Sequence, residues 1–172
     1  MTEFARPQRI DTIGGDARGV EVEADAAERT ALATRFDLIA IDRLAGAFTL
    51  RRDAMGILVE GRVSASLTQA CSITGDPLPA TVDEPVALRF VPAGEARQDE
   101  IELADDEIDV IPYDGGAIDL GEIAAETMAL ALDPFPRGPG AEAALKEAGV
   151  ISEEEAGPFG ALARLKDKLA GK

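Results

Sequence analysis

The most regular pattern of apolar and polar residues runs through the middle of the chain. Ile57, Val59, Gly61 and Val63 alternate with Gly56, Leu58, Glu60 and Arg62. A period of two predicts a strand, and it continues through Ser64 to Ala70 with Ala65 and Leu67 in phase. Gly61 inside that run marks a bulge or bend in one long strand. Upstream, Ala47 to Arg52 reads as a second strand, and Asp53 to Gly56 as the turn between the two. Downstream, Thr74-Gly75-Asp76-Pro77 reverses the chain. Val82, Glu84, Val86, Leu88 and Phe90 then share one face of a further strand. Pro85 on its other face argues for an edge strand or a kink.

Helical spacing flanks this strand-rich middle. Asp25 followed by Glu28 has capping-box spacing, and Leu32 and Phe36 share the face of the helix it starts. Leu38 to Leu44 is a connector or short strand. Arg18 to Glu23 is a short strand before the helix, and residues 1–17 read as a lead-in. Asp119, again followed three residues on by Glu122, caps a second helix. Leu120, Ile123, Ala124, Thr127, Leu130 and Ala131 lie close to one face of it, and Pro134 and Pro136 end it. Ile108 to Ile111 is a candidate short strand and Ala141 to Ala148 a candidate short helix. Phe159, Leu162, Leu165 and Leu169 form a terminal amphipathic stripe.

These elements predict an α+β fold: an antiparallel, β-rich body with a helix before and a helix after the sheet, plus a short C-terminal amphipathic segment. The expected boundaries are 18–136 for the domain, 137–158 for a linker and 159–170 for the terminal segment. With 172 residues and 46% hydrophobic composition, one domain with one core is expected. Aromatics make up 4% and there is no Trp, so that core is built from Val, Ile, Leu and Ala.

Charge narrows the function. There are 33 acidic against 17 basic residues, a net charge of -16. A field of that sign repels phosphate backbones and attracts basic partners. It also serves solubility alone. The chain has no histidine, which removes the commonest general base and metal ligand. A single cysteine forms no internal disulfide. No apolar run is long enough to span a membrane, and the first residues carry no apolar leader segment. A cytoplasmic, bacterial setting is expected, with no membrane association.

Three clusters carry candidate chemistry. Cys71, Thr74, Gly75, Asp76 and Pro77 form a turn between strands, where Cys71 reads as a small buried residue closing a strand rather than as a nucleophile. A nucleophilic thiol needs a base or helix N-terminus beside it. The residues from Glu95 to Glu126 include twelve acids and one base, Arg97. Within them Asp105, Asp106, Glu107 and Asp109 do not have EF-hand spacing. They read as a solvated loop or as a docking patch for a basic protein. Arg164, Lys166 and Lys168 are the basic face of the terminal segment, either solvated or in weak, salt-sensitive contact with RNA. Asp119 and Glu122 as paired catalytic carboxylates are less economical than as a helix cap. No catalytic residue, metal ligand set or cofactor is assigned.

Three stretches in fixed order resemble one family. Ala70-Cys71-Ser72-Ile73-Thr74-Gly75-Asp76-Pro77 follows the glycine-led strand from Gly61 and precedes Glu84-Pro85-Val86-Ala87-Leu88-Arg89-Phe90-Val91-Pro92. Asp119-Leu120-Gly121-Glu122-Ile123-Ala124-Ala125-Glu126 leads into Asp133-Pro134-Phe135-Pro136-Arg137. Gly157-Pro158-Phe159 leads into Leu162-Ala163-Arg164-Leu165-Lys166. Their order and spacing resemble the YceD-like family over roughly residues 20–169. The resemblance also extends to Glu28–Leu44, which looks like the proteobacterial branch. It implies a role in accumulation or processing of 23S rRNA, hence in large-subunit biogenesis, and no established enzymatic activity; a non-catalytic role is expected. Taken with that role, the charge balance points to a basic large-subunit ribosomal protein or a pre-ribosomal particle as partner, and the terminal basic residues to a weak contact with rRNA. Many members carry a second cysteine in the turn, suggestive of a metal site; here Thr74 stands in its place. With Cys71 alone and no histidine, a zinc site lacks ligands, so zinc is not expected to be essential. The rival readings are a direct rRNA-binding protein and, on the acid clusters alone, a metal-dependent nuclease.

Overall fold

A computed structural model describes residues 3–94 and 108–150. The chain divides into two compact units, residues 1–69 with 79–134, and residues 70–78 with 135–172.

The first unit is built on a mixed five-stranded sheet in the order β2-β3-β4-β5-β6, with β2 at Arg18–Glu23, β3 at Ala40–Asp53, β4 at Gly56–Ala70, β5 at Pro77–Pro92 and β6 at Asp109–Tyr113. β2, β3 and β4 pair antiparallel, whereas β6 runs parallel to β5 from Leu88↔Asp109 to Pro92↔Tyr113. That pairing leaves Pro85 outside the β6 ladder, where a residue without an N–H removes no bond to β6.

β3 merges two stretches that the sequence suggested separately. Ile41 pairs with Leu67 and Arg43 with Ser66, so Asp42 is an extra residue. This bulge shifts the alternation by one, and Ile41 and Leu44 are both buried. Leu44, Phe48 and Leu50 then share a core with Ile57, Val59, Val63, Ala65 and Leu67 of β4.

Two helices pack on β3. Helix α1 (Ala26–Arg35) begins with the expected capping box: the Asp25 carboxylate accepts from the Ala27 and Glu28 N–H groups, and Glu28 accepts from the Asp25 N–H. It buries Leu32 and Ala33. Helix α2 (Leu120–Leu130) is capped by Asp119, which accepts from the Gly121 and Glu122 N–H groups. Glu122 itself pairs with Arg35, which also holds Glu3. The buried face of α2 is Leu120, Ile123, Ala124, Ala125 and Met128, and Leu130 is 86% exposed on the other side. The buried face is thus rotated away from Leu130 relative to the one the apolar spacing predicts.

The N-terminal stretch is core rather than lead-in. Phe4 is fully buried and Ile13 nearly so. β1 (Pro7–Arg9) pairs antiparallel with β7 (Ala117–Asp119), directly before α2. The Arg6 N–H donates to the Asp119 carboxylate at 2.7 Å, and the Arg6 guanidinium grips Glu28 through two bonds of 2.7 and 2.8 Å. One arginine therefore joins the caps of both helices. Its hydrogen bonds hold the Glu28 carboxyl below the ordinary carboxylate range.

The second unit contains the turn after β4, the segment from Phe135 and helix α3 (Ala141–Glu147). The short helix suggested by sequence is present.

Candidate functional site

Cys71 lies where β4 gives way to a tight turn. Its N–H donates to the Asp76 carbonyl at 2.8 Å, and its carbonyl accepts from the Gly75 N–H at 2.9 Å. Gly75 holds φ +75, a conformation that suits glycine. The Thr74 hydroxyl donates to the Asp76 carboxylate at 2.7 Å. Ser72 ties the turn to the tail of the unit, its N–H and hydroxyl both donating to the Pro136 carbonyl. Pro77 opens β5. The five turn residues singled out from the sequence are therefore assembled in one hydrogen-bonded loop.

The sulfur at its centre is buried and is met by donors. The Gly138 N–H points at Cys71 Sγ from 3.3 Å. That contact first, then the Thr74 hydroxyl and the Thr74 and Ile73 N–H groups, brings the Cys71 thiol down to about 6. Donors that solvate a thiolate favour the charged form. Thr74 has one hydroxyl proton, and the Asp76 carboxylate competes for it, so the amides are the steadier contribution. The sequence around Gly138, Gly138-Pro139-Gly140, signals only a loop and gives no sign of this contact.

A metal of the kind the resemblance suggests does not fit this turn. The side chains at hand are one thiolate, one hydroxyl and the Asp76 carboxylate, and an N–H occupies a direction that a ligating sulfur would need. Among the described residues no three of His, Cys, Asp and Glu gather in metal-binding geometry.

The thiolate makes stability depend on pH. A free thiol titrates near about 8.5, and the folded one at about 6. Between those values the unfolded chain holds a proton that the folded chain has released, so stability rises with pH through that window. The contribution is complete above the unfolded value and is lost as pH falls through the folded one. Denaturation midpoints between pH 5.5 and pH 9 should show this slope, and Cys71→Ala should remove it. Equal slopes in the two proteins would contradict the assignment.

Of the acidic cluster, Asp109 is exposed at the start of β6, opposite Leu88. Asp105, Asp106 and Glu107 lie outside the described residues, as do Arg164, Lys166 and Lys168. The Asp119–Glu122 pair is absorbed by capping and by Arg35. No described helix is long and apolar enough to cross a membrane.

Comparison with curated proteins and with solved structures gives no match. Comparison with protein families matches residues 59–166. This span starts within β4 and takes in the Cys71 turn, β5, the acidic stretch and α2. It covers well over half of the chain, which therefore belongs to the family described as large ribosomal RNA subunit accumulation protein YceD.

Proposed function

We propose that the protein supports 23S rRNA accumulation and large-subunit assembly by binding, without catalysis of its own, and that it does so in the cytoplasm. Its acidic stretch, residues 95–122, holds a basic large-subunit ribosomal protein or an assembly intermediate. Arg164, Lys166 and Lys168 add a weak, salt-sensitive contact with rRNA. The observation that carries this reading is the net charge of -16 on a member of a family described by ribosomal RNA accumulation. Such a field raises encounter rates with basic proteins and opposes a phosphate backbone. A basic ribosomal protein is therefore a better match than naked RNA.

The test is depletion of the protein followed by complementation. Depletion should lower the ratio of 23S to 16S rRNA, and the intact chain should restore it. A chain with Asp105→Asn, Asp106→Asn, Glu107→Gln and Asp109→Asn should not. Four ion pairs with the partner at about 0.5 kcal/mol each amount to about 2 kcal/mol, or roughly thirtyfold in partner affinity. Full rescue by the neutralised chain, with unchanged salt dependence of partner capture, would remove the acidic stretch from the mechanism. An unchanged rRNA ratio on depletion would remove large-subunit assembly altogether.

A further inference from the structure

The core-averted face of β2, β3 and β4 carries a concavity of about 520 Å³. Its floor is Ala45 and Ala47 of β3. Strand pairing sets Glu21 of β2 beside Ala47 and Glu23 beside Ala45. On the other side, Arg62 and Ser64 of β4 stand beside the same two alanines. A trough one strand wide results, with two carboxylates along one wall.

The opposite wall is already neutralised. Arg62 pairs with Asp83 at 3.1 Å. Arg43 closes one end, donating to the Ser64 hydroxyl at 2.9 Å with Glu23 3.7 Å away. Among the described residues no cation pairs with Glu21. The lining thus has three carboxylates and two guanidiniums, and with Glu23 paired to Arg43 and Asp83 to Arg62 its one unmet charge is Glu21 on β2.

We infer that this trough seats an extended, basic segment of a protein partner, with one basic side chain on the unpaired Glu21 and a second, two positions on, sharing Glu23 with Arg43. The spacing carries the assignment. Glu21 and Glu23 are two residues apart on one strand face, which places them about 7 Å apart. An extended guest repeats its side chains on one face at the same interval, and the alanine floor leaves room for its backbone. The identity of the partner class rests on the adaptor reading above; the trough itself does not.

The experiment uses the full chain and a synthetic peptide of about ten residues alternating Lys and Thr, a length that spans the strands involved. Binding is read by titration with amide chemical shifts. Wild-type protein should bind it and shift the Glu21, Glu23, Ala45 and Ala47 amides. Glu21→Gln with Glu23→Gln should weaken binding about fivefold, as loss of two exposed pairs does. Ala47→Leu, at an exposed position and with its fold checked by the dispersion of the amide spectrum, should block the floor and abolish binding. Binding that survives Ala47→Leu, or shifts confined to other strands, overturns the trough and leaves the adaptor reading intact. Single-stranded RNA bound in preference to the peptide, and lost in Ala47→Leu, overturns the choice of a peptide guest. Failure of the adaptor reading shows separately, in the rRNA ratio.

Discussion

Replacing Phe4 by alanine should cost the folded protein about 3–5 kcal/mol, the range for truncating a fully buried phenylalanine. Phe4 has no exposed surface and belongs to the same core cluster as Leu120, Ala124 and Met128 of α2. Its carbonyl lies against Gly121, where a Cβ would overlap it, so segment and helix are in van der Waals contact at that point. The Arg6 guanidinium sits 4.6 Å from the ring centre and adds a cation–π contact. A lead-in that merely preceded the domain would tolerate the same change within about 0.5 kcal/mol. Guanidinium denaturation separates the two: the midpoint should fall sharply while the slope of the transition stays fixed. An unchanged midpoint would detach the N-terminal stretch from the core.

Why this stretch escaped sequence reading is a matter of pattern. Phe4, Ile10 and Ile13 are scattered among Glu3, Arg6, Arg9 and Asp11, too few to set a period of two or of 3.6 that would reveal a face. Their burial is decided by the β1–β7 pairing, which joins residues more than a hundred positions apart. Local chemistry was legible where it acts locally. Asp25 with Glu28 gave the cap of α1, Asp119 gave that of α2, and the alternation from Ile57 gave β4. β3 was split because the bulge at Asp42 breaks the alternation on which strand recognition depends. On α2 the spacing of apolar residues favours Leu130, whereas the core takes Ala125 and Met128. The helix turns a wide face to the core, and hydrophobicity alone did not fix its rotation. The parallel pairing of β6 is a tertiary choice that no local pattern encodes.

The candidate site divides along the same line. The Cys71 turn was visible because Gly75, Asp76 and Pro77 are turn residues by their own conformational preferences. Its electrostatic character was not, since the decisive donor is a backbone N–H at Gly138, a group every non-proline residue has. The trough was invisible for a related reason. Alanines at 45 and 47 read as weak strand residues until pairing places carboxylates on one side and arginine on the other. Part of the negative charge is structural, with Glu28 and Asp119 on caps and the N-terminal strand and Glu122 on Arg35. Glu21 and Asp109 are exposed and stand outside these structural contacts.

Gly61→Ala should destabilise the protein by about 3 kcal/mol, at the upper end of the usual cost of overpacking. Gly61 pairs with Phe48 in the middle of the β3–β4 ladder. A Cβ there would overlap the Ala47 carbonyl oxygen and stand 2.9 Å from both Cα and Cδ1 of Phe48. Two of those neighbours are backbone, so no rotamer change relieves the contact, and the strands must separate at their centre. Intrinsic preference acts the other way, since alanine is favoured over glycine in a strand by roughly 0.5–1 kcal/mol. Gly19 on β2 isolates that smaller term: a Cβ there meets nothing within 4 Å. Gly19→Ala should therefore be neutral or slightly stabilising, and the pair of variants compares preference alone with preference plus clash. Because Ala47 is both the atom donor of the clash and part of the trough floor, Gly61→Ala should also weaken binding of the Lys-Thr peptide under conditions where the variant is still folded. Equal midpoints for the two glycine variants would mean that the Phe48–Gly61 register is not the one the protein uses.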